Sequence, residues 1–319
     1  MKRTAIITGI TGQDGSYLAD LLLEKDYKVY GFKRRSSSND LECATHLEGK
    51  IEIVEGDLLD LPSLQSFCRL ARADEFYNLA SQSHVGTSFK QPLYTAEATG
   101  LGVLNCLEAI RNSGLHTRFY QASTSEMFGG QLGETFANET TPFHPRSPYG
   151  CAKLFGHSMT INYRESYKMF ACCGILFNHE SPRRGVNFVT RKITKGIAAI
   201  KSGKQKKLYL GNLKSKRDWG HARDYVEGMW RMLNHTRPDE FVLATGETHS
   251  VEQFCKHAFN YAGLGDFQQY VEVDPQFYRP AEVDILLGDS SKARRELGWL
   301  PKTSFQNLVQ EMVTADLVT

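Results

Sequence analysis

The run TAIITGITGQDG at positions 4–15 constrains the fold more than any other stretch of the chain. Residues 4–8 form a short, β-rich apolar run of the kind buried on both faces of a parallel sheet. Gly9, Gly12 and Gly15 follow at GxxGxxG spacing, and residues 16–25 carry helical apolar periodicity. Strand, glycine turn and helix, in that order, are the context a dinucleotide-binding turn requires. Gly9 permits the tight turn, Gly12 lets the backbone approach a pyrophosphate, and Gly15 lets the helix pack on the sheet. The helix N-terminus then offers unpaired N–H groups and partial positive charge to the phosphates. The bland alternative is three turn glycines in an unrelated α/β protein.

The alternation continues downstream. Strands are predicted at 28–32, 51–55, 75–80, 118–123 and 171–177, with a later one at 241–244. Helical stretches lie between them, including 99–113 and the stretch that holds Tyr149 and Lys153. The expected fold class is α/β, a Rossmann-type doubly wound parallel sheet with right-handed crossovers and helices on both faces. Beyond Asn178 the alternation falters: Pro182, Gly185, Gly203 and Gly211 punctuate it, and basic residues thicken between Arg183 and Arg217. The 319 residues suit a large domain with a smaller companion. The expected division is a dinucleotide-binding domain of residues 1–178 plus 213–247, and an α/β substrate-binding cap of residues 179–212 plus 248–319.

Composition removes other classes. A net charge of +2 gives no bulk electrostatic case for nucleic acid or an anionic membrane. No apolar run approaches the ~20 residues of a membrane-spanning helix. The seven cysteines are scattered without metal-ligand spacing, so no metal is expected. The chain enters a strand at once, without a signal-peptide apolar region, and a reducing cytoplasm is the expected location.

The candidate chemistry sits further along. Tyr149 and Lys153 are spaced i, i+4 and share one helix face. A neighbouring ammonium favours the phenolate, so the Tyr149 pKa is expected to fall from ~10 toward working pH. Such a Tyr can take the proton of a sugar hydroxyl while hydride leaves the same carbon. In the run Thr124-Ser125-Glu126, the carboxylate is available for a second proton transfer. Hydride chemistry with a separate acid/base suits a nucleotide-sugar dehydratase. The alternative makes Glu126 a helix N-terminal acid and Thr124 its cap.

Near the end of the second strand, where an NAD enzyme usually carries Asp or Glu, this chain has Lys33-Arg34-Arg35 followed by Ser36, Ser37 and Ser38. Three cations there favour a 2′-phosphate, hence NADP; a solvated basic loop is the alternative. Asp57-Leu58 is placed to meet an adenine, and residues 79–83 (LASQS) to line the dinucleotide, unless both are ordinary strand-end polarity.

Runs spread in order over nearly the whole chain carry a closer resemblance: TGITGQDGSYLA (8–19), KRRSSS (33–38), NLASQSHVG (78–86), FYQASTSEMFG (119–129), TTPFHPRSPYGCAKL (140–154), NYRES (162–166), GILFNHESPRRG (174–185), FVTRKIT (188–194), RDWGHARDYV (217–226) and FYRPAEVD (277–284). The chain resembles the GDP-mannose 4,6-dehydratases of the extended short-chain dehydrogenase/reductase family. The resemblance implies a net loss of water without net redox. It makes Tyr149 the base for the 4-hydroxyl, with Lys153 tuning it and holding the nicotinamide ribose. Thr124 steadies the 4-oxygen, and Glu126 removes the carbon-5 proton and then helps the 6-hydroxyl leave. It implies that NADP is met by Gly9, Thr11, Gly12, Gln13, Asp14 and Gly15. Further cofactor contacts fall on Arg34, Arg35, Ser36, Asp57, Leu58, Leu79, Ala80, Gln82, Ser83, Tyr94, Lys153, His179 and Arg184.

For a GDP-sugar it implies Ser83, Asn178, Val189, Lys192, Arg217, Arg279 and Glu282, with the two arginines on the phosphates; Arg191 is a further cation in the same segment. The cofactor loop of the resembling enzymes also reaches a neighbouring subunit's cofactor, so a homo-oligomer, tetramer or dimer, is expected, with Arg34 and Arg35 contributing. His144 stands where an aromatic is common, and the loop QLGETFANE (131–139) differs in detail. Both border the sugar, so a GDP-manno-heptose remains an alternative substrate. Epimerases and 4-reductases of the same fold share Tyr149 and Lys153 but have no call on Glu126. Dehydratases of UDP- or dTDP-sugars lack the FNHESPRRG and RDWGH runs.

Overall fold

The computed structural model describes residues 2–36, 41–130 and 135–318. Ser37, Ser38 and residues 131–134 of the divergent loop lie outside them. The first half is built from β1 (Thr4–Thr8), α1 (Gln13–Glu24), β2 (Lys28–Arg34), β3 (Glu52–Gly56), α2 (Leu61–Ala71) and β4 (Glu75–Asn78). There follow α3 (Val85–Lys90), α4 (Pro92–Thr95), α5 (Gly102–Ser113), β5 (Arg118–Thr124), α6 (Pro148–Tyr167) and β6 (Ala171–Leu176). The expected strands thus form, β1 with its ends unmoved and the others with ends moved by no more than two residues.

With β11 (Glu240–Leu243), these strands make a seven-stranded sheet in the order β11-β6-β5-β4-β1-β2-β3, parallel throughout. The order reverses beside β1, and a crevice opens there at the carboxyl ends of the strands. Side chains alternate between two cores. Ala5, Ile7, Tyr77 and Tyr120 pack beneath α1 and α8 (Ala222–Leu233). Ile6, Phe76 and Phe119 pack against α2 and α5 on the other face. Burial on both faces explains why β1 reads as continuously apolar.

The remaining chain supplies β7 (Asn178–Glu180), α7 (Val189–Lys201), β8 (Leu208–Leu210), β9 (Lys216–Arg217) and β10 (Trp219–His221). It ends with β12 (His249–Ser250), α9 (Val251–Tyr261), β13 (Val271–Val273), β14 (Ile285–Leu286) and α10 (Phe305–Val318). Helices α7, α9 and α10 enclose a separate core around Ile193, Phe254, Phe259, Phe305 and Met312. Two small sheets, β10-β7 and β12-β9-β14, link this lobe to the large one, and a third, β13-β8, lies within it.

The packing departs from the expected division in three places. Trp219, expected in the large domain, joins the cap core. Val283 and Leu286, expected in the cap, pack with Ile175 and Val242 of the large sheet. Ala293, Leu297 and Trp299, which fall in the 248–319 stretch expected to form the cap, pack into the core beneath the large sheet. The Trp299 indole N–H donates to the Asp224 carbonyl at 2.7 Å and its ring meets Tyr225 edge-on. A buried indole needs both an apolar bed and an acceptor, and α8 provides both. Among the described residues, no helix is long and apolar enough to cross a membrane, and no group of three His, Cys, Asp or Glu residues is arranged to hold a metal ion.

Candidate active site

The glycine turn is built as its spacing predicts. Gly9 has φ +69°, and a β-carbon on it would lie 2.9 Å from the Ala80 backbone. A β-carbon on Gly15 would sit 2.3 Å from the Gly9 carbonyl oxygen, so the start of α1 presses directly on the turn. Gly12 meets only the Gly9 oxygen, at 3.3 Å, leaving its other side open to the crevice. Below the turn, the Thr8 hydroxyl donates to Asn78 Oδ1 at 2.7 Å and accepts the Leu79 and Ala80 N–H groups at 3.1 Å. That bonding locks the ends of β1 and β4 together.

The opposite wall comes from β5 and α6. Thr124 ends β5, and its hydroxyl accepts the Glu126 N–H at 3.3 Å, capping a single 3-10 turn, Ser125–Met127. The capping role and the cavity-lining role therefore coexist in Thr124. Helix α6 starts at the Ser147 cap, with Pro148 in its first turn and the Ser147 hydroxyl accepting the Gly150 N–H at 3.0 Å. A β-carbon on Gly150 would come within 3.0 Å of the Glu126 carbonyl. This glycine, whose role the sequence reading overlooked, lets the helix carrying Tyr149 approach the turn carrying Glu126. A glycine in a helix N-terminal turn beside a Tyr was its sequence signal. Tyr149, Lys153, Thr124 and Glu126 are all buried.

The charge state of Tyr149 differs from expectation. Burial pushes its pKa up, the Thr124 hydrogen bond pulls it down, and the Glu126 carboxylate pushes it up again; the net direction is upward. Lys153 lies 5.7 Å from the Tyr149 ring centre, but its ammonium donates to the Ala122 carbonyl at 2.9 Å. Helical spacing placed the two on one face, while the depth of that face overrode the expected lowering. Burial also brings Lys153 down to about 8, with the Asp14 carboxylate opposing.

A single cavity of about 1660 Å³ runs from the glycine turn to the cap. Single small-molecule pockets span roughly 300–1,000 Å³, so there is room for two nucleotide-sized ligands side by side. Every site residue named from the sequence lines it except Arg191, described below, and Arg35 and Ser36, which are exposed outside its wall. Arg34 reaches the cavity and bonds the Tyr94 hydroxyl. Lys33 is buried, 3.7 Å from the Glu55 carboxylate.

On the cap side, buried Arg217 donates to the Lys216 carbonyl at 2.9 Å. The Lys192 ammonium sits 3.4 Å over the Phe277 ring. Arg279 is 3.4 Å from the Glu126 carboxylate, and its backbone N–H donates to Glu282 at 2.8 Å. Arg184 pairs with Glu180 at 3.0 Å and covers the Phe188 ring. Arg191 is turned away: it pairs with Asp316 of α10 at 2.9 Å and lies off the cavity wall. Its position on α7 presents it to the helix packed there.

The seven-stranded parallel sheet and the glycine turn define a Rossmann-type doubly wound protein, with the Tyr149–Lys153 pair on its cavity wall. Over 98% of both chains, the structure superimposes with a TM-score of 0.87 and 24% identity on a UDP-glucose 4-epimerase of Thermus thermophilus solved in complex with NAD. The profile of GDP-mannose 4,6 dehydratase matches residues 6–312. GDP-mannose 4,6 dehydratase 2 of Arabidopsis thaliana is 51% identical over 99% of this chain and 87% of its own. The Drosophila melanogaster GDP-mannose 4,6 dehydratase is 50% identical over 99% and 86%. The chain belongs to the GDP-mannose 4,6-dehydratase family, a family of nucleotide-sugar hydro-lyases.

Proposed function

We propose that this chain converts GDP-D-mannose to GDP-4-keto-6-deoxy-D-mannose and water, using bound NADP without net consumption. The carrying observation is that a phenol and a carboxylate, Tyr149 and Glu126, share one cavity with a glycine cradle. A nicotinamide dinucleotide, when bound, supplies a reversible two-electron acceptor and a positive ring charge that favours the Tyr149 phenolate.

The chain's own residues do the rest. Gly9, Gly12 and the N-terminus of α1 take the pyrophosphate of the dinucleotide, and Arg34 takes its 2′-phosphate. Asp57, Leu58, Leu79, Ala80, Gln82, Ser83 and Tyr94 line the path between them. Lys153 holds its proton and the ribose. Tyr149, with Thr124 hydrogen-bonded to it, accepts the proton of the sugar 4-hydroxyl. Glu126 takes the proton from carbon 5, made acidic by the neighbouring ketone, and delivers it to the departing 6-hydroxyl. Arg217 and Arg279 hold the substrate diphosphate, with Asn178, Val189, Lys192 and Glu282 around the nucleoside. Arg279 also faces Glu126, so it bridges the diphosphate subsite and the acid/base. The lobe division follows the boundaries given above, with residues 293–299, Val283 and Leu286 joined to the dinucleotide lobe and Trp219 to the cap. We further infer a homo-oligomer, dimer or tetramer, in which the exposed Arg35 meets a neighbouring subunit.

Incubation with GDP-mannose and NADP, read by mass spectrometry, tests the reading. The expected product is lighter by one water, with no accumulation of NADPH. Net NADPH formation would make the enzyme a dehydrogenase, and turnover confined to GDP-manno-heptose would move the substrate to the seven-carbon sugar.

A further inference from the structure

His179, at the centre of β7, has an acceptor at each ring nitrogen. Nδ1 lies 2.8 Å from the Phe177 carbonyl oxygen, and Nε2 lies 2.7 Å from the Asp14 carboxylate. A neutral imidazole has one donor and one acceptor nitrogen. Only the imidazolium satisfies both partners. The ring is buried and stacked on Tyr225 at 4.6 Å, while the Asp14 carboxylate sits on the cavity wall. Asp14 is the acid in the first turn of α1, where the helix dipole favours negative charge. Gln13 doubles the strap: its amide donates to the His179 carbonyl at 3.1 Å and accepts from the Ser181 hydroxyl at 2.8 Å. The helix behind the glycine turn is thereby fixed to the strand that leads into the cap.

We propose that Asp14 and His179 form a charged carboxylate–imidazolium pair that positions the dinucleotide cradle. This rests on the reading of the cavity as a dehydratase site. Asp14 is the acid whose field reaches Lys153 and opposes the effect of burial. The other charged groups facing the pair and Tyr149 are Arg184, from the loop after β7, and Glu126. Burial disfavours both charged forms in the pair, but mutual attraction and hydrogen bonding prevail. His179 is held above its ordinary value, and Asp14 is brought down to about 2.

Two substitutions separate the charged pair from a neutral strap. In Asp14→Asn the amide can donate to Nε2, so the hydrogen bond survives while His179 becomes neutral. In His179→Gln the carboxylate keeps a donor but loses its cation. NADP binding, measured by calorimetric titration, is therefore expected to weaken at least ~10-fold in both variants, and in Asp14→Asn the His179 ring is expected to titrate no higher than the ordinary ~6.5. Unweakened binding in both variants would overturn the proposal.

NMR of ring-labelled histidine in the full wild-type chain supplies a readout independent of turnover and of variant folding. His179, assigned by its absence from the His179→Gln spectrum or by its contact with Tyr225, is expected to stay doubly protonated well above the ordinary ~6.5. A neutral His179 at pH 7 would overturn the pair even if the dehydratase reading stands. An imidazolium in a chain inactive on GDP-mannose would leave the pair intact and remove the substrate reading.

Discussion

Alanine at Gly15 and alanine at Gly12 make a paired test of the dinucleotide cradle. At Gly15 a methyl group would lie 2.3 Å from the Gly9 oxygen, 2.7 Å from the Ile10 α-carbon and 2.9 Å from the Gly9 carbonyl carbon. All three are backbone atoms, so relief requires moving α1 away from the sheet. Overpacking of this kind costs about 1–3 kcal/mol or more, and the purely backbone clash puts Gly15→Ala at about 3 kcal/mol. Unfolding entropy of about 2.1 cal/mol/K per residue converts this, over 319 residues, to a melting-point drop of roughly 4–5 °C. At Gly12 the only close atom is the Gly9 oxygen at 3.3 Å, and φ is −80°, open to any residue. Gly12→Ala is expected to cost about 1 kcal/mol, mostly through the weaker helix cap, and to lower the melting point by under about 2 °C. Its methyl group instead projects toward the ligand and should weaken dinucleotide binding at least ~10-fold, about 1.4 kcal/mol. Scanning calorimetry of the ligand-free chain and calorimetric titration with NADP measure the two effects. Similar melting losses in both variants, or unweakened binding in Gly12→Ala, would refute the assignment of one glycine to packing and the other to ligand approach.

The other predictions concern the chemistry. Glu126→Gln should retain NADP binding but lose turnover by roughly 10²–10⁴-fold; full dehydration in that variant would remove its acid/base role. Arg34→Ala should weaken NADP roughly 10–100-fold, the worth of a charge-assisted contact of about 1.5–3 kcal/mol, while NAD affinity stays the same. Equal effects on both dinucleotides would show that Arg34 does not read the 2′-phosphate. Because burial brings Lys153 to about 8, its ammonium is present below that pH and lost as pH rises through it. The rate of turnover should therefore fall on the alkaline side near pH 8, and a limb close to the ordinary lysine value of ~10.4 would contradict this.

Local sequence determined a large share of this protein. The strand, glycine turn and helix at 4–24 formed as their spacing required, because a five-residue apolar strand and a GxxGxxG turn are specified by near neighbours. The same holds for Ser147-Pro148, which start α6 and put Tyr149 and Lys153 on one face. Tertiary structure decided what depends on partners distant in the chain. The two-residue strands β9 and β14 carry no periodicity, and they exist because residues 216–217 meet 285–286 on one side and 249–250 on the other. Trp299 returned to the large domain because α8 offered an acceptor 75 positions earlier. Tyr149 rose rather than fell in pKa because helical spacing fixes a face but not its depth. Arg191 met Asp316 instead of the cavity for a related reason: α10 covers that side of α7. The pairing of Asp14 with His179, 165 positions apart, was equally invisible to local pattern, since each residue alone is an ordinary polar group and only folding gives both ring nitrogens an acceptor.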